Sequence, residues 1–206
     1  MNKSDFNKLM KEEMQSAKKG AKLLLHSCCG PCSSRCLLAL KDTFDISLLF
    51  YNPNITDKDE YFLRKSEQLR LLEETNWAKN FDAEYDVDVF YNHVLGYENE
   101  KEGGARCFKC YELRLEYTAK IAKENNFDYF TTTLSVSPHK NSEWLNKIGE
   151  SLSEKYGVKY LHADFKKENG YLKSVELAKE YNLYRQNYCG CSFSDWRKSE
   201  NFSIQK

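Results

Sequence analysis

Five short apolar runs alternate with segments of helical periodicity along this chain, and that alternation restricts its fold more than any other feature. Leu23, Leu24 and Leu25 lead to Ser27, after which Gly30-Pro31 breaks the chain and residues 33–41 continue as a helix. Ile46 to Tyr51 reads as a second buried strand closed by Asn52-Pro53-Asn54, and Asp57 caps a helix with Phe62, Leu69 and Leu72 on one face. Glu84 to Phe90 alternates as a third strand. Gly103-Gly104 opens a loop, and Cys107-Phe108-Lys109-Cys110 leads into a helix carrying Tyr111, Leu115, Ala119 and Ala122 at helical spacing. Tyr129 to Leu134 is a fourth strand, 141–156 a helix, Lys159 to Ala163 a fifth strand, and 171–181 a last helix before Cys189.

Strands separated by helices of this length specify a parallel sheet covered on both faces, joined by right-handed crossovers. The expected fold is therefore a doubly wound α/β domain. At 206 residues the chain suits one domain spanning 1–206, with residues 1–21 as an N-terminal helical arm. Six lysines and three acids precede Leu23, so the arm reads as a solvated terminal helix, with packing on the domain or contact with RNA as the alternatives. In such sheets the loops leaving the carboxyl ends of the strands form the ligand crevice. Cys28 to Cys32 leaves the first strand, Ser135 to Lys140 the fourth and Asp164 the fifth, which gathers three candidate segments on one edge.

Eight cysteines fall into three tight groups: Cys28-Cys29-Gly30-Pro31-Cys32 with Cys36 nearby, Cys107 with Cys110, and Cys189-Gly190-Cys191. Thiolates are soft ligands and good nucleophiles, so CCxxC, CxxC and CxC in one chain point to metal or redox chemistry. The first group runs into a helix N-terminus, where the helix dipole favours thiolates and anionic clusters. Cys36, one turn on among leucines, reads as a small core residue. Combining the first group with Cys107 and Cys110 gives a four-sulfur site that fits either zinc or an iron-sulfur cluster, and spacing leaves both open. Cys189-Gly190-Cys191 is a poor chelate but can close a small strained disulfide, suited to reversible two-electron storage. The preceding Tyr184-Arg185-Gln186-Asn187-Tyr188 mixes aromatics, a cation and amides, a composition that stacks bases and holds phosphates, or simply packs. A general thiol-disulfide exchange role for CGPC leaves Cys28 and the second CxxC without a function.

Thirty-one basic residues balance thirty-one acidic ones, so a polyanionic partner has to be held by a local patch. The polar N-terminus lacks the apolar core of a signal peptide and no run approaches membrane-spanning length. A cytoplasmic protein with no membrane partner is expected, and in that reducing compartment cysteine clusters serve metals or working redox pairs.

In order along the chain, HSCCGPCS, FYNPNI, EGGARCFKCYELR, TTTLSVSPHK, ADFKK and YRQNYCGCSFS give a sequence that resembles the QueH-type epoxyqueuosine reductases over nearly everything after Lys22. The resemblance implies an adenine-nucleotide hydrolase-like (HUP-type) three-layer sandwich. SCCGPCS stands where nucleotide-binding relatives carry a glycine- and serine-rich phosphate loop, which speaks against ATP. It also implies a 4Fe-4S cluster on Cys28, Cys29, Cys107 and Cys110, and a redox-active disulfide between Cys189 and Cys191. A second iron would take Cys32 and Asp164. The implied reaction removes the epoxide oxygen of epoxyqueuosine in a tRNA anticodon loop as water, leaving the alkene and consuming two electrons and two protons. A single cluster passes one electron at a time, so the Cys189/Cys191 dithiol is the expected two-electron partner, refilled by an unidentified electron donor. Iron acting as a Lewis acid on the epoxide oxygen is the expected activation. His139 and Asp164 are the candidates for proton delivery. Arg106, Lys109, His139, Lys140, Lys166, Lys167 and Arg185 are the candidate RNA contacts, with bases stacked on Tyr184 or Tyr188. Affinity should then fall with salt at a log-log slope of about 0.7 per phosphate contacted. The rival reading is a zinc-stabilised tRNA-binding module without redox activity.

Overall fold

The computed structural model describes residues 5–194. Their central feature is a sheet of five parallel strands in the order β3-β2-β1-β4-β5, made of β1 (Ala21–His26), β2 (Phe44–Leu49), β3 (Lys79–Phe81), β4 (Tyr129–Thr132) and β5 (Lys159–Tyr160). Because β1 lies between β2 and β4, the winding reverses at β1/β4.

Helices cover both faces, and the period-2 alternation of β1 shows why. Leu23 and Leu25 pack toward one layer with Phe44, Ile46 and Leu48, against Leu37 and Leu40 of α2 (Gly30–Leu40), Leu71 of α3 (Lys58–Thr75) and Ala178 of α7 (Gly170–Glu180). Leu24 packs toward the other with Phe130, against Tyr111, Leu115 and Ala119 of α5 (Ala105–Glu124) and Leu145 and Ile148 of α6 (Ser142–Tyr156). All three leucines are fully buried. A strand buried on both faces is what makes β1 read as an unbroken apolar run, each leucine contributing about 1.5–3 kcal/mol. The result is the expected doubly wound, three-layer α/β fold.

Several element readings need correction. Glu84 to Phe90 is not a strand: the edge strand is Lys79–Phe81, and Val87–His93 forms helix α4, capped by the Asp86 side chain accepting from the Asp88 amide. The apparent alternation concealed a helical pair, since Phe90 and Val94 are the buried positions. On α3, Phe62 is exposed and the buried stripe is Tyr61, Arg64, Gln68, Leu71 and Leu72. The fourth and fifth strands are shorter than expected, and β4 passes directly into a 3-10 turn over Thr133–Val136.

The arm is helical, α1 (Phe6–Ser16), but it is docked rather than solvated. Met10 is buried, Tyr129 donates its hydroxyl to Glu13 Oε1 at 2.6 Å, Lys159 Nζ lies 3.2 Å from the same oxygen, and Phe6 stacks on His162. Among the described residues no helix is long and apolar enough to cross a membrane.

Candidate metal centre

The reversal of winding at β1/β4 opens a crevice at the carboxyl ends of these strands, where doubly wound sheets bind ligands. Its cavity of about 810 Å³ is large enough for a nucleoside. Cys28, Cys29 and Cys32 form part of the wall, joined by Asn52, Asn54, Arg114, His139, Lys140, Gln186, Tyr188 and Cys189.

The first cysteine group occupies the joint between β1 and α2. Cys29 is the N-cap of α2 in extended conformation, with Pro31 in the first turn. This geometry lets neighbouring side chains converge. Cys28 Sγ is 3.8 Å from Cys29 Sγ, and the sulfurs of Cys28, Cys29 and Cys32 all lie within 4.8 Å of one another. Thr133, just past β4, fixes Cys28 from both sides: it accepts from the Cys28 amide at 3.1 Å and donates to Cys28 Sγ at 3.4 Å. Hydrogen bonds from Cys28 and Cys32 hold the Cys29 thiol well below its usual range, whereas sharing those protons pushes Cys28 and Cys32 up. Cys29 is thus the ready thiolate, at a helix N-terminus that stabilises it.

The second group does not precede its helix but lies in the first turns of α5, with Gly104 at the N-cap and Gly103 N donating to Cys107 Sγ at 3.2 Å. Cys107 packs in the same buried cluster as Cys28, while Cys110 packs with Cys189 and Cys191. Burial pushes Cys110 up to about 11 and Cys191 up to about 12. All eight cysteines are unpaired thiols, and Cys36 is a fully buried core residue.

The Cys189-Gly190-Cys191 loop is fastened from three directions. Arg64 donates to the carbonyls of Cys189 and Tyr188 at 3.2 and 3.3 Å, and its guanidinium lies 5.2 Å from the Tyr188 ring centroid. Thr56 N donates to Gly190 O at 3.1 Å, where Gly190 has φ of +97° and a Cβ would meet Ile55 Cγ1 at 2.9 Å. Lys140 Nζ approaches Cys189 Sγ at 3.6 Å. Burial disfavours that ammonium, but the fields of Cys189, Tyr111, Glu102 and Cys107 override burial and raise it above the ordinary lysine range.

The remaining candidates divide. His139 is exposed on the cavity wall, as is Arg185. Lys166 binds Asp164 at 2.7 Å, Ser142 Oγ donates to the same carboxylate at 3.2 Å, and neither Asp164, Lys166 nor Lys167 lines the cavity. Arg106 is only 2% exposed: it donates to the carbonyls of Glu98 and Glu100 and lies over the Phe193 ring. Lys109 pairs with Glu112, and Tyr184 donates to the Glu60 carboxylate.

Sequence reasoning missed the polar groups behind the sulfurs. Asn52, read as a turn residue, donates to Ser27 O at 2.9 Å and accepts from Arg114; Asn54 is 1% exposed, and its Oδ1 has no donor among the described residues. Gln186 bonds the Cys29 sulfur through its side chain, and its own Oε1 is buried with no donor among the described residues. Arg114 stands one helical turn after Cys110 and closes the EGGARCFKCYELR segment, its two signals in the sequence.

A family model described as "Epoxyqueuosine reductase QueH" matches residues 23–197. Curated proteins of the same description are similar over most of their length. That of Staphylococcus epidermidis is 42% identical over 188 residues, 88% of this chain and 79% of its own. That of Staphylococcus aureus is 39% identical over 210 residues, 97% and 88% of the two chains, and that of Thermotoga maritima 37% over 175 residues, 84% and 89%.

Proposed function

The chain belongs to the epoxyqueuosine reductase QueH family, and we propose that it removes the epoxide oxygen of epoxyqueuosine in tRNA, using an iron-sulfur centre beside a redox-active dithiol. The observation that carries the reading is the convergence of Cys28, Cys29 and Cys32 within 4.8 Å at the β1/β4 crevice, with Cys107 in the same apolar cluster as Cys28 though outside that trio. Soft sulfur donors gathered at a helix N-terminus suit a 4Fe-4S cluster on Cys28, Cys29, Cys107 and Cys110. That centre, when bound, would supply one-electron transfer and a Lewis-acidic iron for the epoxide oxygen. A second iron would use Cys32, and Asp164 would join it by exchanging Lys166 and Ser142 for the metal.

The chain's own residues supply position, protons and reducing equivalents. Cys189 and Cys191 as a dithiol give up two electrons and two protons on closing a disulfide; epoxide plus two electrons and two protons gives alkene plus water. The two half-reactions balance. Lys140 holds the Cys189 sulfur at 3.6 Å, positioning it for disulfide closure with Cys191. His139, exposed on the wall, is the candidate for returning a proton to the departing oxygen. Arg185 and Tyr188 line the mouth, where an unpaired anticodon nucleotide would enter.

The test is iron, acid-labile sulfide and zinc analysis of anaerobically purified protein beside single Cys→Ala variants, with conversion of epoxyqueuosine-tRNA measured on the same samples. A brown protein whose iron and activity both fall with Cys28, Cys29, Cys107 or Cys110 supports the reading. A colourless zinc protein supports the non-redox tRNA-binding module instead. Full activity in an iron-free sample would end the proposal.

A further inference from the structure

Arg114 is 2% exposed, yet among the described residues it has no carboxylate within 4.0 Å; Arg64, buried to a similar degree, has Glu60 at 2.7 Å. Its two recorded contacts are neutral. Nε donates to His26 Nε2 at 3.3 Å, and the other end of the guanidinium donates to Asn52 Oδ1. A ring nitrogen and an amide oxygen are both uncharged acceptors, so no anion answers the arginine from that side. A buried cation without an anion is costly, and a fold retains one where an anionic occupant completes the pairing.

The position of Arg114 identifies that occupant. It follows Cys110 by four residues and Cys107 by seven on α5, so all three share one helix face. It lines the same cavity as Cys28, Cys29 and Cys32. Asn52, itself bound to Ser27 O beside the first cysteine group, and His26 at the end of β1 fix the guanidinium in place.

We propose that Arg114 is the built-in counter-cation of the metal-sulfur centre, a positioning residue that sets its reduction potential from the helix that carries Cys107 and Cys110, in the wall of the cavity that Cys28, Cys29 and Cys32 line. The inference rests on the iron-sulfur reading above. Reduction adds negative charge to an already anionic thiolate-ligated centre, so a fixed positive charge in a low-dielectric wall favours the reduced state. Removing it should favour the oxidised state.

The experiment is a spectroelectrochemical titration of anaerobic wild type, Arg114→Gln and Arg114→Lys, with iron, sulfide and circular dichroism measured on each. For Arg114→Gln the equilibrium should move about tenfold or more toward the oxidised centre, equivalent to about 59 mV per tenfold for a one-electron couple. Arg114→Lys keeps the charge and should lie nearer wild type, short of it because an ammonium cannot reproduce the fork that reaches both His26 and Asn52. An Arg114→Gln protein with wild-type iron and an unmoved potential would overturn the inference. If Arg114→Gln retains the fold but not the iron, Arg114→Lys decides: iron kept supports the charge role, and iron equally lost refutes it. Wild type lacking iron and sulfide would instead remove the reading underneath.

Discussion

Arg64 offers the sharpest test of how the Cys189-Gly190-Cys191 loop is held. Its side chain is 3% exposed and that of Glu60 9%; they meet at 2.7 Å on consecutive turns of α3, and the far side of the guanidinium holds the Tyr188 and Cys189 carbonyls. Arg64→Met leaves Glu60 as a buried carboxylate answered, among the described residues, only by the Tyr184 hydroxyl, and breaking such a pair costs about 3–5 kcal/mol. The two carbonyls lose charge-assisted donors worth roughly 1.5–3 kcal/mol each at most, a loss softened because that loop can turn toward water. Total destabilisation should therefore be at least about 3–5 kcal/mol. Removing both charges, as Glu60→Gln with Arg64→Met, relieves the orphaned carboxylate and should recover about 2–3 kcal/mol as a coupling term. Urea unfolding of all four proteins at one metal content gives the cycle, and alkylation of Cys189 reports the loop. Faster alkylation in Arg64→Met is expected from loosening. A double variant no more stable than Arg64→Met would refute the argument, because the penalty would not come from the stranded charge.

Three further outcomes follow from single contacts. Lys140→Met removes the donor 3.6 Å from Cys189 Sγ that holds this side chain in place, so disulfide closure between Cys189 and Cys191 under a mild oxidant, followed by thiol titration, should slow several-fold; an unchanged rate would show that Lys140 does not position the sulfur. Gly190→Ala forces a side chain onto a backbone with φ of +97° against fully packed Ile55, costing about 1–2 kcal/mol from the backbone alone and displacing both flanking cysteines; wild-type stability and wild-type disulfide closure would contradict this. Glu13 is held below the ordinary glutamate value of 4.5, chiefly by the Tyr129 hydroxyl, with Lys159 adding to it. A depressed carboxyl contributes stability that is complete above pH 4.5 and is lost as pH falls through its lowered folded value. Proteolysis of the α1 arm should accelerate over that acidic window in wild type, and Glu13→Gln should be cleaved readily at every pH; equal pH dependence in both would reject Glu13 as the clasp.

What the sequence disclosed and what it withheld follow from the range of the forces involved. Strands buried on both faces announce themselves locally, as Leu23 to Leu25 do, and glycine or proline at their ends marks the loops. The cysteine groups are legible because few other uses of sulfur demand such spacing. Glu84 to Phe90 misled because the six alternating residues 84–89 fit a strand as well as they fit a capped helix with Phe90 and Val94 inward, and tertiary burial chose the helix. The arm misled for the opposite reason: its lysine-rich surface hides that Glu13 meets Tyr129 and Lys159 more than a hundred residues away.

The groups around the sulfurs were the least legible, and the physics explains why. Arg64, Arg106 and Arg114 look like surface charges in one dimension, yet all three are at least 97% buried, and each is held by partners the sequence gives no means of pairing. Arg64 grips the loop over residues 188–189, Arg106 fastens the Glu98–Glu100 turn and Arg114 holds Asn52 beside the first cysteine group. A chain of zero formal net charge has no global field with which to attract a polyanion. It therefore has to spend individual arginines inside the fold, where the low dielectric multiplies the effect of each, and composition is silent about that choice.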